Sequence, residues 1–262
     1  MTRFDVPVSR YMTAPVVVVP AGTDFATAEQ RLADGGFSCL AVVGDDERLA
    51  GVISRTDLLR IGRLRSTMNE DHELLTLPRQ PIRKYMHGDV VTVTPQATIA
   101  AAAALMVQHH IHRVFVIDGE RRPIGVVSTR DVMRAVADAR VQTPIEDVMS
   151  APVICVEASD PVSLAVDRLE QAHVRGVVVL ENEWPVGVFT QLEALSARAL
   201  DGTARVEQAM SCAMLCLPRS TSALRAANFA LATRSRRILV VEAREVRGIL
   251  TGIDFAKVAT QA

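Results

Sequence analysis

The chain has few cysteines for its 262 residues. Cys39, Cys155, Cys212 and Cys216 are the only ones, and no two form a CxxC pair. That spacing excludes a disulfide-built scaffold and a Cys-rich zinc site, and it leaves the thiols as small side chains in a reducing compartment. No charge of either sign dominates: 29 Lys plus Arg stand against 30 Asp plus Glu, a net charge of −1. A dedicated nucleic-acid binder carries a basic face, so this balance argues against one. Long apolar runs are missing too. The longest is Ile99–Val107, far short of the roughly 20 residues a bilayer requires. The N-terminal MTRFDVPVSR has no apolar signal core. These absences predict a cytoplasmic protein with no membrane association. GxSxG, HExxH, Walker A and GxGxxG motifs are also absent, and no acid pair stands out as a general acid and base. The expectation is a protein that is not an enzyme. What remains is 49% hydrophobic, enough apolar surface to offset the ordering entropy of a folded chain.

That apolar content is arranged in four copies of one pattern. Four short polar runs end in Met12, Met86, Met149 and Met210, and each is followed by a β-like run: Val16–Val19, Val90–Val93, Val153–Val156 and Met214–Leu217. Later in each copy comes a Gly, two apolar residues and a hydroxyl: Gly51 to Ser54, Gly125 to Ser128, Gly187 to Thr190, Gly248 to Thr251. The Met spacings are 74, 63 and 61, and the Gly spacings are 74, 62 and 61. Two independent anchors drift together, which identifies a true internal repeat. The copies span residues 8–61, 82–137, 145–199 and 206–260. The longer polar connection from Gly62 to Pro81 accounts for the first spacing and reads as an extended helix end with a loop, or as a mobile loop.

Within a copy the pattern predicts an α+β unit ordered strand, helix, strand, strand, helix. In the second copy Val90–Val93 is β-branched, Thr98 is placed to cap an Ala-rich helix, Arg113–Ile117 is a strand, Asp118-Gly119 turns a hairpin, and Ser128 opens the second helix. Thr23 and Asp24 begin the first helix of copy one, and Ser163 and Thr221 those of copies three and four. A unit this small buries its sheet only by pairing. Adjacency suggests copies one with two and three with four.

Ser54-x-x-Asp57, Ser128-x-x-Asp131 and Thr251-x-x-Asp254 each sit where a strand becomes a helix. Such a spacing forms a capping box, in which hydroxyl and acid satisfy the first free amides of the helix. The same helix end, with its free amides and partial positive charge, suits a phosphate. Both readings stand on the residues alone. Copy three carries Thr190-x-x-Glu193 instead, and the longer acid is expected to cap its helix and to bind ligand poorly.

The Met opening, the strand with its Pro turn, the Gly-apolar-apolar-Ser/Thr-x-x-Asp element and the run His112 to Asp118 together resemble the cystathionine-beta-synthase (CBS) domain family. The likeness covers about 210 residues in four copies. It implies four β-α-β-β-α CBS repeats paired into two Bateman modules in a disc-like assembly, either a monomeric disc or a homodimer. It also implies no obligatory cofactor, and a regulatory ligand containing adenosine (AMP, ADP, ATP or S-adenosylmethionine) whose occupancy is passed to a regulated partner protein. The Asp of each element would accept the ribose hydroxyls, and His112-Arg113 would meet the phosphates. Arg236-Arg237 take that place in copy four, Val174-Arg175 in copy three and Ser38-Cys39 in copy one.

Three sites follow from the resemblance. The first joins Val52, Ser54 and Asp57 with Val90, Val91, His112 and Arg113, and it is the favoured one because every element is present. The second joins Val126, Ser128 and Asp131 with Val16 and Val17, aided by Arg113. The third joins Ile249, Thr251 and Asp254 with Val153, Ile154 and Arg237. Rival readings are a scaffold with degenerate sites and a nucleic-acid regulator using the Arg234, Arg236, Arg237, Arg244 and Arg247 cluster. His109, His110 and His112 lie too close in sequence to converge on a metal and read as a helix end. Trp184, in a predicted turn, marks a possible contact surface.

Overall fold

Each β-branched run pairs in parallel with a strand that follows one helix later, because a parallel pair needs a long crossover and the Ala-rich amphipathic stretch supplies it. The computed structural model describes residues 3–66, 78–197, 200–243 and 245–261. Copy one holds β1 (Val18–Pro20), α1 (Phe25–Asp34), β2 (Cys39–Val43), β3 (Leu49–Ser54) and α2 (Arg55–Ser66). Copy two holds β4 (Thr92–Val93), α3 (Ile99–Gln108), β5 (Arg113–Ile117), β6 (Pro123–Ser128) and α4 (Thr129–Asp138). Copy three holds β7 (Cys155–Glu157), α5 (Val162–Gln171), β8 (Gly176–Glu181), β9 (Trp184–Thr190) and α6 (Gln191–Ser196). Copy four holds β10 (Cys216–Pro218), α7 (Ala223–Ala232), β11 (Arg237–Glu242), β12 (Glu245–Thr251) and α8 (Gly252–Gln261). The described residues thus form four three-stranded sheets of one topology, parallel then antiparallel. The α+β expectation holds in every copy. The connection expected over 62–81 is helical as far as Ser66, and residues 67–77 lie outside the described residues.

Two local expectations need correction. The leading strands begin two residues later than the apolar runs imply, at Val18, Thr92, Cys155 and Cys216. The reason is topological. The chain divides into two compact units, and it passes from one to the other at 16/17, 89/90, 153/154 and 213/214. The runs therefore begin at crossings rather than in ladders. Helix starts differ as well. Asp24 accepts from the Thr27 amide at 2.9 Å and Thr98 from the Ala101 amide at 3.1 Å. In copy four Ser222, not Thr221, caps the helix, and α5 starts at Val162 behind Pro161 rather than at Ser163. A proline at the cap costs no donor there, since that N–H would lack an intrahelical partner anyway.

The first unit contains residues 1–16, 90–153 and 214–262, and the second 17–89 and 154–213. In the first, copies two and four share a core of Ile99, Ala102 and Met106 of α3, Val132 and Val136 of α4, Ala226 and Ala230 of α7, and Phe255 of α8. In the second, copies one and three share Phe25 and Leu32 of α1, Leu58 of α2, Ala165 and Leu169 of α5, and Ala194 of α6. Adjacent copies are tied differently, by exchange of the short 3-10 turns that lead into them. Val8 N–H donates to Ala97 O at 2.8 Å and Ile82 N–H to Thr23 O at 2.7 Å. Ile145 N–H donates to Thr221 O at 2.8 Å and Val206 N–H to Asp160 O at 2.9 Å. Each lead-in buries one aliphatic side chain completely on its neighbour's helix start. Each such burial stabilises by about 1.5–3 kcal/mol.

The first helix of every copy ends in a left-handed residue: Gly36, His110, His173 and Arg234, with φ of 62°, 51°, 52° and 56°. The histidine run of copy two is therefore in part a helix terminator. A non-glycine residue pays roughly 1–2 kcal/mol in this conformation. Changing the exposed His173 to glycine is expected to raise stability by about 1 kcal/mol. An unchanged or lowered thermal midpoint would contradict this.

Candidate functional site

The two sequence anchors meet each other. A Cβ added to Gly51 would lie 2.7 Å from Met86 Sδ, to Gly125 2.7 Å from Met12 Sδ, and to Gly187 2.6 Å from Met210 Sδ, and Gly248 faces Met149 more tightly still. Each Met comes from the lead-in of the neighbouring copy and lies across a strand that only glycine leaves bare. The residue after each Met then pairs antiparallel beside that glycine: Thr13 with Val126, His87 with Val52, Ser150 with Ile249, Ser211 with Val188. This clamp delivers a polar side chain to the strand-to-helix corner that carries the Ser/Thr-x-x-Asp element.

At that corner the acids are almost fully buried: Asp57, Asp131 and Asp254 are 3%, 5% and 1% exposed. One oxygen of each is spent on the cap. Asp57 Oδ2 accepts from the Ser54 amide and hydroxyl at 2.8 and 2.6 Å, Asp131 Oδ2 from those of Ser128 at 2.8 and 2.7 Å, and Asp254 Oδ2 from those of Thr251 at 2.8 Å each. The other oxygen faces a cation one helical turn on and, at Asp57 and Asp254, the docked lead-in as well. Asp57 Oδ1 lies 2.7 Å from His87 Nε2 and 3.9 Å from Arg60. Asp254 Oδ1 accepts from Ser150 Oγ at 2.8 Å and Lys257 Nζ at 2.9 Å. Asp131 Oδ1 has Arg134 at 3.4 Å. In copy three Thr190 and Glu193 make the same reciprocal cap, with the hydroxyl donating to Glu193 Oε2 and the amide donating at 3.0 Å. Position 196 there is a serine, so the following cation is missing.

Strand register places the basic residues. Arg113 is directly opposite Ser128, and Arg237 is opposite Thr251. Directly opposed residues of an antiparallel pair share one face of the sheet, so Arg113 and Arg237 lie on the same sheet face as the hydroxyl of their own copy. Cys39 is opposite Ser54 and Gly176 opposite Thr190. The register corrects the pairing expected in copy three: Arg175-Gly176, not Val174-Arg175, corresponds to His112-Arg113. The backbone agrees, since His112 O accepts from the amide that follows Ser128 at 2.9 Å, as Ser38 O does from the amide that follows Ser54 at 3.0 Å.

The three predicted residue sets distribute unequally. Of the second set, Val16, Arg113, Val126, Ser128 and Asp131 belong to the first unit and Val17 to the second. Of the third, Val153, Arg237, Ile249, Thr251 and Asp254 belong to the first unit and Ile154 to the second. The first set is split: Val52, Ser54 and Asp57 lie in the second unit, while Val90, Val91, His112 and Arg113 lie in the first. Sequence reasoning missed His87, Ser150 and Thr13, and also Arg60, Arg134 and Lys257. Two signals were available: the polar residue immediately after each anchor Met, and the cation three residues after each Asp.

Arg247 pairs with Glu245 at 2.7 Å, and Arg219 bridges Glu146 at 2.7 Å and Glu242 at 3.1 Å. Arg244 lies outside the described residues. Among the described residues no His, Cys, Asp and Glu group is placed to hold a metal, and no helix is long and apolar enough to cross a membrane. Burial and then the Glu157 charge push the Cys155 thiol up, and burial pushes up Cys216, which fits inert thiols. The Tyr11 phenol is pushed up by burial and by its hydrogen bond to Asp138. Trp184 is exposed at the start of β9.

A model of the CBS domain matches residues 8–63, 82–138 and 145–200. The copy at 206–260 repeats the same element order and sheet topology. A curated relative, the uncharacterized protein MJ1404 of Methanocaldococcus jannaschii, is 23% identical over 188 residues, which is 66% of this chain and 42% of that protein. Among solved structures, protein MJ1225 of M. jannaschii, proposed as an archaeal homologue of g-AMPK, superposes with a TM-score of 0.84 at 18% identity, covering 97% of this chain and 99% of that one. An uncharacterized conserved protein of Pyrococcus horikoshii gives a TM-score of 0.70 at 18% identity, covering 97% and 100%. At such identities the likeness is one of fold.

Proposed function

The chain belongs to the CBS domain family, and from that premise we propose that it is a regulatory protein whose principal ligand is an adenine nucleotide held at the Ser128/Asp131 corner. The observation that carries the reading is the coincidence of three groups there. Arg113 stands in register with Ser128, the α4 start offers free amides and a partial positive charge, and Asp131 Oδ1 has as its protein partner one distant guanidinium. A phosphate takes the cation, hydroxyl and helix end, and a ribose hydroxyl donates to the acid. The Thr13–Val16 segment, bridged to Val126, supplies backbone groups and an apolar wall for the base. The Thr251/Asp254 corner, flanked by Arg237, is a second candidate of the same kind. Copies one and three have no cation at the corresponding strand position. Occupancy regulates a partner protein only if the ligand binds two conformations of the chain unequally.

Isothermal titration with AMP, ADP, ATP and S-adenosylmethionine tests this. Binding of at least one ligand with a dissociation constant near or below ~10 μM, roughly −7 kcal/mol, is expected. One observation favours a second reading, a scaffold. Among the described residues every fully buried side-chain polar atom already has a partner, so the acids are satisfied as helix caps. No binding by any of the four ligands would leave that reading in place.

A further inference from the structure

The four copies offer four nearly identical corners, and within them one residue stands out. The residue after the anchor Met that docks on the corners of copies two, three and four is Thr13, Ser211 and Ser150 respectively, all small hydroxyls, whereas the corner of copy one receives His87. Backbone pairing is the same in all four, so the difference lies in the side chain alone. His87 Nε2 reaches Asp57 Oδ1 at 2.7 Å, the distance of a charge-assisted hydrogen bond. Asp57 Oδ2 is already committed to Ser54. Asp57 Oδ1 therefore carries a bulky ring where the other corners carry a small hydroxyl, and the imidazole stands in the space from which a ribose hydroxyl would approach that oxygen. The ring itself is held loosely, for the His87 side chain is 56% exposed while that of Asp57 is 5% exposed.

We propose that His87 closes the copy-one corner further, beyond its lack of a strand cation: its imidazole stands at the Asp57 oxygen a nucleoside would need, so copy one accepts an adenine nucleotide only after the ring has been displaced. This rests on the reading of the Ser/Thr-x-x-Asp acids as ribose acceptors. The consequence is an ordered pair of affinities. The Asp131 corner fills first, and the Asp57 corner answers only at higher concentration. Exposed ion pairs are individually weak, and a hydrogen bond to a charged group is worth somewhat more. Displacing the ring is therefore expected to weaken the copy-one site by roughly tenfold.

The test isolates that site. In the full chain carrying Asp131→Asn and Asp254→Asn, AMP is titrated with His87 intact and with His87→Thr, which installs the residue type found at the copy-two corner. His87→Ala is run in parallel, and circular dichroism melts check that each variant is folded. AMP affinity at the remaining site is expected to rise about tenfold in both His87 variants and to vanish on adding Asp57→Asn. An affinity that does not change in either variant overturns the proposal. If the wild-type chain binds AMP and Asp131→Asn weakens it, an unchanged affinity in the His87 variants overturns the His87 role alone. If the wild-type chain and all variants fail to bind any adenine nucleotide, the nucleotide reading falls, and the His87 inference with it.

Discussion

Replacing Asp131 with alanine is expected to weaken adenine-nucleotide binding by roughly 100-fold. The acid is buried, and only its Oδ1 is open to a new donor, so a ribose hydroxyl bonded there gains the full strength of a charge-assisted bond in a low-dielectric corner. Losing it, together with the reorganised cap, is worth about 3 kcal/mol, and each 1.4 kcal/mol is tenfold. The same change removes half of the α4 capping box and should lower stability by about 1 kcal/mol. Glu193→Ala is the matching control. It breaks the equivalent cap on α6 and should cost similar stability while leaving nucleotide affinity unchanged. Titration calorimetry and thermal melts on both variants separate the effects. Equal loss of binding in the two would mean that Asp131 acts through the fold.

The largest stability effect is expected at Gly252. This first residue of α8 is buried against the first residue of α4. A Cβ added there would lie 2.6 Å from Thr129 Cβ and closer still to its hydroxyl. Thr129 is itself 8% exposed and starts a helix whose backbone is pinned by the Ser128 cap, so neither side can give way cheaply. Gly252→Val should cost about 3 kcal/mol by overpacking and lower the denaturation midpoint in urea without a change in slope. Thr129→Ala on that background should return a large part of the loss, because residues in direct contact couple strongly. A double variant no more stable than Gly252→Val would place the strain elsewhere. The corresponding contact in the second unit involves different residues, Arg55 and Gln191 at the equivalent positions and a Thr56–Gln191 hydrogen bond at 3.2 Å. A glycine at this position is thus a device of one unit, not of the repeat.

Much of the molecule was legible in the chain before any coordinates. The four copies, their element order, the Thr98 and Asp24 caps and the reciprocal Ser/Thr-x-x-Asp boxes were all readable. Periodicity and capping are set by residues within one or two turns of each other, so the information is local. The acids and hydroxyls of the site were readable for the same reason, as were the basic pairs His112-Arg113 and Arg236-Arg237.

What the chain did not disclose is where its lead-in segments go. Met12 and Gly125, or Met86 and Gly51, repeat in step because they touch, yet nothing local says that a methionine will lie on the glycine of another copy. That partnership is fixed by burial of Val8, Ile82, Ile145 and Val206 on neighbouring helix starts, a long-range choice. It decides that His87 reaches Asp57 and Ser150 reaches Asp254. It also decides that the leading strands start two residues late, where the chain changes units, and that copies two and four share one core while one and three share another. The sequence by itself determined the repeat and the chemistry available at each corner. Only the tertiary structure decided which side chain stands over each acid, because that depends on which apolar surfaces segments far apart in the chain bury together.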